Sequence, residues 1–172
     1  HNTRIWVGIG RRVTNSASIT HTMEADRWYH WVVTYDGDST TGGTNTRKFY
    51  MDGVHLSDYD ATDVRWYDTN DTGGGENIYF GGRNNNGNFV KPWECGLDEL
   101  AIFDEVKDSD WVSSLYNSAA EADLRGQSGL VGYWRFNEGE GTHVGDLTGN
   151  GNHGTLTSTN EATYGLPTWE GR

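Results

Sequence analysis

At 172 residues the chain can bury one full core, and a formal charge of −12 sets its surface against phosphate backbones and anionic lipid, so nucleic acid and membrane surfaces are poor partners. Only 34% of residues are apolar while 13% are aromatic, and 24 Gly stand against 2 Pro, so short strands carrying flat rings and frequent turns are expected rather than long helices. The acidic balance suits cation binding, and it suits a plain solubility charge equally well.

In chain order, "TRIWVGIG" (3–10) alternates with Ile5, Val7 and Ile9 on one face, and "ASITHTM" follows as a weaker strand. "WYHWVVTYDG" (28–37) is stronger: Tyr29, Trp31, Val33 and Tyr35 share one face and His30, Val32 and Thr34 the other, with both faces partly buried. Trp28, Trp31 and Trp134 are expected in the core, and His30 is expected to be a structural histidine. After a Gly- and Thr-rich loop, "RKFYMDGVHLSDY" predicts a hairpin turning at Asp52-Gly53, because Gly tolerates the positive φ of a tight turn.

A long polar loop carries Trp66 and Tyr67, "NIYFGGR" returns to strand, and "NNNGNFVKPWE" is loop again with Trp93. "GLDELAIFDEV" is a strand, with Cys95 before it as a small buried residue. A lone cysteine excludes an internal disulfide. Near 108–117 one short helix is expected, capped by Asp108 and presenting Val112, Leu115 and Tyr116 on one face. "GLVGYWRFNEGEG" then opens a further strand, followed by the loop "GDLTGNGNHGT" and a loose tail. No apolar run is long enough to span a membrane, and a start at His1 rather than Met suggests a fragment or processed form.

Four of these segments resemble the laminin G-like, concanavalin A-like jelly-roll modules of secreted and cell-surface proteins. They are "WYHWVVTYDG", "KFYMDGV", "GLDELAIFDEVKDSDWVSSLYN" and "GLVGYWRFNEGEGTHVGDLTGNGNHGTL". Lys107 stands where that family usually has Leu, and Trp111 where it usually has an acidic residue, so local packing there is in question. The resemblance implies an antiparallel β-sandwich of jelly-roll type. The fourth segment comes first in the family and last here. Residues 129–157 are therefore expected to supply strands that complete one sandwich over 1–172. The alternatives are a boundary near 127, as in a chain cut from a tandem array, and strands exchanged between copies. Intramolecular completion is preferred, because a partial sandwich leaves open edges and a 43-residue remainder is too small to fold alone.

The candidate chemistry follows the loops. Asp146, Asn150 and Asn152 lie on a Gly-rich turn, and the resemblance implies that this loop holds structural Ca²⁺ together with Asp98. The alternative is an Asx/Gly turn, with Asp98 bonded to backbone amides. "DTNDTGGGE" superficially suggests an EF-hand but fails at the Glu spacing, and His21, His55, His143 and His153 show no metal spacing. Trp66, Tyr67 and Trp93 in polar loops suit stacking on sugar C–H faces, with Arg83 and Asn85 bonding hydroxyls; the alternative is that these rings cap the core. The carboxylates of "DELAIFDE" match a paired-carboxylate glycosidase poorly. The expected function is thus a non-catalytic lectin-like module, extracellular or at the cell surface. It would bind a glycan or glycosylated surface, or serve adhesion, as part of a larger parent chain. The alternatives are a purely architectural module and, less favoured, a polysaccharide-degrading enzyme.

Overall fold

In a computed structural model of the chain, residues 2–7, 17–36, 45–61, 78, 80–81, 83–85, 88–90, 95–118, 122–158 and 166–170 are described. Only the backbone is described for 2–7, 17–20, 45, 59–61, 83–85 and 88–90. Every strand pairing among the described residues is antiparallel, and one helix accompanies them. The chain forms two compact units, residues 1–73 with 106–122 and residues 74–105 with 123–172.

In the first unit, β1 (Asn2–Val7) pairs with β2 (Ala17–Thr22). β3 (Trp31–Asp36), β4 (Asn45–Met51) and β5 (Val54–Ala61) form a three-stranded sheet. Both faces of β3 are at least partly buried, as its two-sided pattern predicts. The β4–β5 turn is the expected Asp52-Gly53 pair, with φ of 51° and 75°, the double positive φ of a tight hairpin. Its Asp has a second task. The Asp52 carboxylate accepts from the His30 amide at 2.9 Å and from Arg27 Nη2 at 2.7 Å, tying the chain before β3 to the turn. Phe49, Tyr50, Met51 and Val112 are buried.

Helix α1 (Ser109–Tyr116) begins where Asp108 Oδ1 accepts the Trp111 amide at 2.8 Å. Val112 is fully buried. Tyr116 lies against Gly53, where a side chain would meet it at 3.1 Å, and stacks on His30 at 6.0 Å between centroids. The two departures from the family pattern answer each other: Lys107 Nζ sits 5.2 Å over the Trp111 ring.

The expectation for Trp28 is corrected, since its side chain is 68% exposed. The reason is that β3 begins only at Trp31, so strand alternation does not reach back to residue 28.

In the second unit, β6 (Arg83–Asn85) pairs with β7 (Asn88–Val90). Of the described residues of the "NIYFGGR" strand, Arg83 is in β6, while Ile78 and Phe80 lie outside strand and are exposed. β8 (Leu100–Phe103) pairs with β9 (Leu130–Trp134), Leu100 opposite Trp134, with an irregularity between Ile102 and Phe103. The late "LVGYW" segment thus lies beside the "LAIF" strand. Gly129, at φ 70°, leaves no room for a side chain beside Glu105 and Asp104. Cys95 is exposed, not buried: it sits on a bend ahead of β8 and has no place in the sheet. β10 (His143–Val144) and β11 (Gly154–Thr155) make a short hairpin unforeseen in the loop sequence.

Candidate ligand-binding site

The loop 145–153 is placed by Asp146, which is only 7% exposed. Its Oδ1 accepts the amides of Tyr133 (3.2 Å) and Thr148 (3.0 Å), and its Oδ2 accepts the amide of Asn152 at 3.0 Å. The Thr148 hydroxyl sits 2.8 Å from both oxygens. Burial alone would raise the pKa of this carboxyl. The donors from Thr148, Asn152 and Tyr133 together outweigh it and hold the group below its ordinary value. Asn150 and Asn152 turn their amide nitrogens onto the Val131 carbonyl at 3.1 and 2.8 Å, and Trp134 Nε1 donates to the Asn152 carbonyl at 2.8 Å. The whole loop is therefore fastened along β9.

This arrangement does not fit the calcium set Asp98, Asp146, Asn150 and Asn152. A carboxylate offers about four acceptor positions, and those of Asp146 are matched by three amides and one hydroxyl. Asp98 Oδ1 accepts the Glu99 amide at 3.0 Å. Among the described residues no group of three or more His, Cys, Asp or Glu is placed to hold a metal. His143 and His153, distant from each other in sequence, bring their rings to 5.1 Å. His153 Nδ1 accepts the Asp146 amide at 3.1 Å, so the proton of the neutral ring sits on Nε2 and that nitrogen is no ligand.

A second polar cluster stands where β8 meets β9. Glu99, at φ 51°, accepts from the Tyr133 hydroxyl and, at 2.9 Å, from Arg135 Nε. Tyr133 is fully buried. Burial first, then the hydrogen bond and charge of Glu99, push its hydroxyl well above the ordinary tyrosine value, with Arg135 opposing. Glu99 is thereby spent on structure.

Beside this cluster is a solvent-open depression of about 330 Å³, lined by Arg135, Asn137, Glu138, Gly145 and Leu147. The sequence reading missed these residues. Arg135 and Asn137 follow β9 directly, but nothing in "RFNEGEG" tells a wall residue from a loop residue.

Of the sequence-derived ligand residues, Trp66, Tyr67 and Trp93 lie outside the described residues. Arg83 and Asn85 occupy the two ends of β6, which brings them onto one hairpin, opposite Val90 and Asn88. In the first unit, burial pulls His30 below the ordinary imidazole value against the opposing charge of Asp52, as suits a structural histidine. Its Nδ1 is buried and bonds to none of the described groups.

No helix among the described residues is long and apolar enough to cross a membrane. No curated protein and no solved structure matches the chain. A laminin G-type family model, described as the concanavalin A-like lectin/glucanases superfamily, matches residues 1–113. That match spans well over half of the 172 residues and agrees with the antiparallel strands, the Asp52-Gly53 hairpin and the capped helix. The chain belongs to the concanavalin A-like lectin/glucanase superfamily.

Proposed function

We propose that the protein is a non-catalytic carbohydrate-binding or adhesion module of a secreted or surface protein. Membership of the lectin/glucanase superfamily over residues 1–113 carries this reading. Trp66, Tyr67 and Trp93 would supply stacking faces, and Arg83 and Asn85 would bond hydroxyls; all five fall inside the matched span. The use of Glu99 in holding Tyr133 and Arg135 favours binding over hydrolysis, since a glycosidase needs two carboxyls available to the sugar. The proposal places no calcium in the Asp146 loop. A glycan array probed with the purified chain, with Ca²⁺ and again with EDTA, tests it. Retention in both conditions, weakened by Trp66→Ala or Trp93→Ala, is expected. No retention by a folded chain would leave the architectural role in its place, and retention lost only in EDTA would restore calcium.

Residues 129–157, in the same proposal, complete the sandwich begun by the earlier strands. The pairing of Leu130–Trp134 with Leu100–Phe103 supports it, as does a unit built from chain on both sides of residue 127. A monomer mass in light scattering is expected. A dimer mass would point to strands exchanged between copies.

A further inference from the structure

The depression in the second unit has no part in the reading above. It lies beyond residue 113, outside the span the family model matches. Its walls are held at their roots. Glu138 Oε1 accepts the Gly145 amide at 2.7 Å, Arg135 Nε is held by Glu99 at 2.9 Å, and the Leu147 amide donates to the Tyr133 carbonyl at 2.8 Å. Two non-glycine residues at positive φ flank Arg135, namely Glu99 in its ion pair and Phe136 next in sequence, at 51° and 53°. Such backbone persists only where its surroundings impose it, and it gathers at binding sites.

The lining chemistry is mixed. Leu147 is 41% exposed and offers a small apolar face. Around it stand a guanidinium, a carboxamide and a carboxylate, which can donate to and accept from neighbouring hydroxyls. A volume of about 330 Å³ sits at the lower end of ligand sites and takes one or two sugar rings rather than a peptide segment. Glu138 on the wall, exposed Glu140 nearby in sequence and a chain charge of −12 disfavour anionic ligands.

We propose that Arg135, Asn137, Glu138 and Leu147 form a second ligand seat, selective for a neutral pyranoside over a uronate. This deepens the glycan-binding reading and rests on it for the class of ligand, but none of the lining residues belongs to that reading's ligand set. The hydroxyls would bond Asn137, Glu138 and Arg135 while a C–H face rests on Leu147.

The test is amide correlation spectroscopy on the labelled full chain, titrated with methyl glucoside, methyl galactoside, methyl mannoside and, as the charged control, glucuronate. A neutral glycoside should shift the amides of Asn137, Glu138, Gly145 and Leu147, with glucuronate weaker. Asn137→Ala or Leu147→Ala should weaken the effect about tenfold, as the loss of one good contact does, and Trp28→Ala, at an exposed ring outside either proposed site, should leave it unchanged. The spectra themselves show whether each variant is folded. The seat is overturned if these amides stay still at the highest soluble sugar concentration, or if glucuronate binds as well. Array retention with shifts confined to residues 1–113 would remove the seat and leave the module. A silent array with shifts at 137–147 would do the reverse.

Discussion

In the first unit, β3, β4 and β5 run in continuous antiparallel register, broken once between Phe49 and Tyr50, over a core that includes Phe49, Tyr50, Met51 and Val112. In the second, β8 and β9 are short strands, and the loop beyond them is held by side chains bonded to backbone: Asp146 on three amides, Asn150 and Asn152 on Val131. Apolar burial is non-directional and decides which face of a strand points inward. A carboxylate shared among several amides fixes where a loop sits, atom by atom. The second unit can therefore present a loop surface shaped by backbone bonds, beside a core that includes Leu124, Tyr133 and Val144.

The sharpest way to break this contrast is to remove one anchor from each unit. Phe49→Ala empties a fully buried site and should cost about 4 kcal/mol in urea unfolding, with Phe49→Leu recovering much of it. Asp146→Ala strands three amides and should cost about 3 kcal/mol. Asp146→Leu should recover none of that, because acceptors rather than volume are missing. Recovery by Leu at residue 146 would erase the distinction between the units.

Acid sharpens the same point. The carboxyl of Asp146 is held below its ordinary value of 3.8, so its stabilisation is fully present above that pH. It is lost as pH falls through the lower folded value, and the Asp146→Ala chain should lack this acid-dependent loss.

A smaller effect is expected at Tyr133. Tyr133→Phe removes the bond to Glu99 and should cost about 1 kcal/mol. The folded hydroxyl titrates above the ordinary value of 10.0, so stability should fall as pH climbs past that value, where only the unfolded chain ionises. The Phe variant should show a shallower alkaline fall, and an unchanged slope would contradict the burial of that hydroxyl.

The smallest effect is expected at Trp28. Its exposed ring predicts that Trp28→Ala changes stability by no more than about 0.5 kcal/mol. A loss of the size seen for Phe49 would return that ring to the core.

What the sequence made legible follows from this contrast. The Asp52-Gly53 turn and the Asp108 cap rest on local rules and stand as read, while the two-sided strand read from Trp28 begins at Trp31. Trp28 is exposed because alternation does not extend back past the strand start at Trp31, and Cys95 because small apolar character alone does not bury a residue ahead of the strand start at Leu100. The Asp146 loop reads from sequence either as a ligand set or as an Asx/Gly turn. Whether a carboxylate faces a metal or a set of amides depends on partners such as Tyr133, 13 residues away, which no spacing rule reveals. The depression beside Arg135 was illegible for the same reason, since its walls come from separate loops.

Glycan binding without turnover is tested most directly by incubating the chain with a glycan it retains on the array, then assaying the recovered sugar for new reducing ends. Retention with the glycan recovered intact is the result the proposed function requires. New reducing ends would make the protein a glucanase-type enzyme and contradict it.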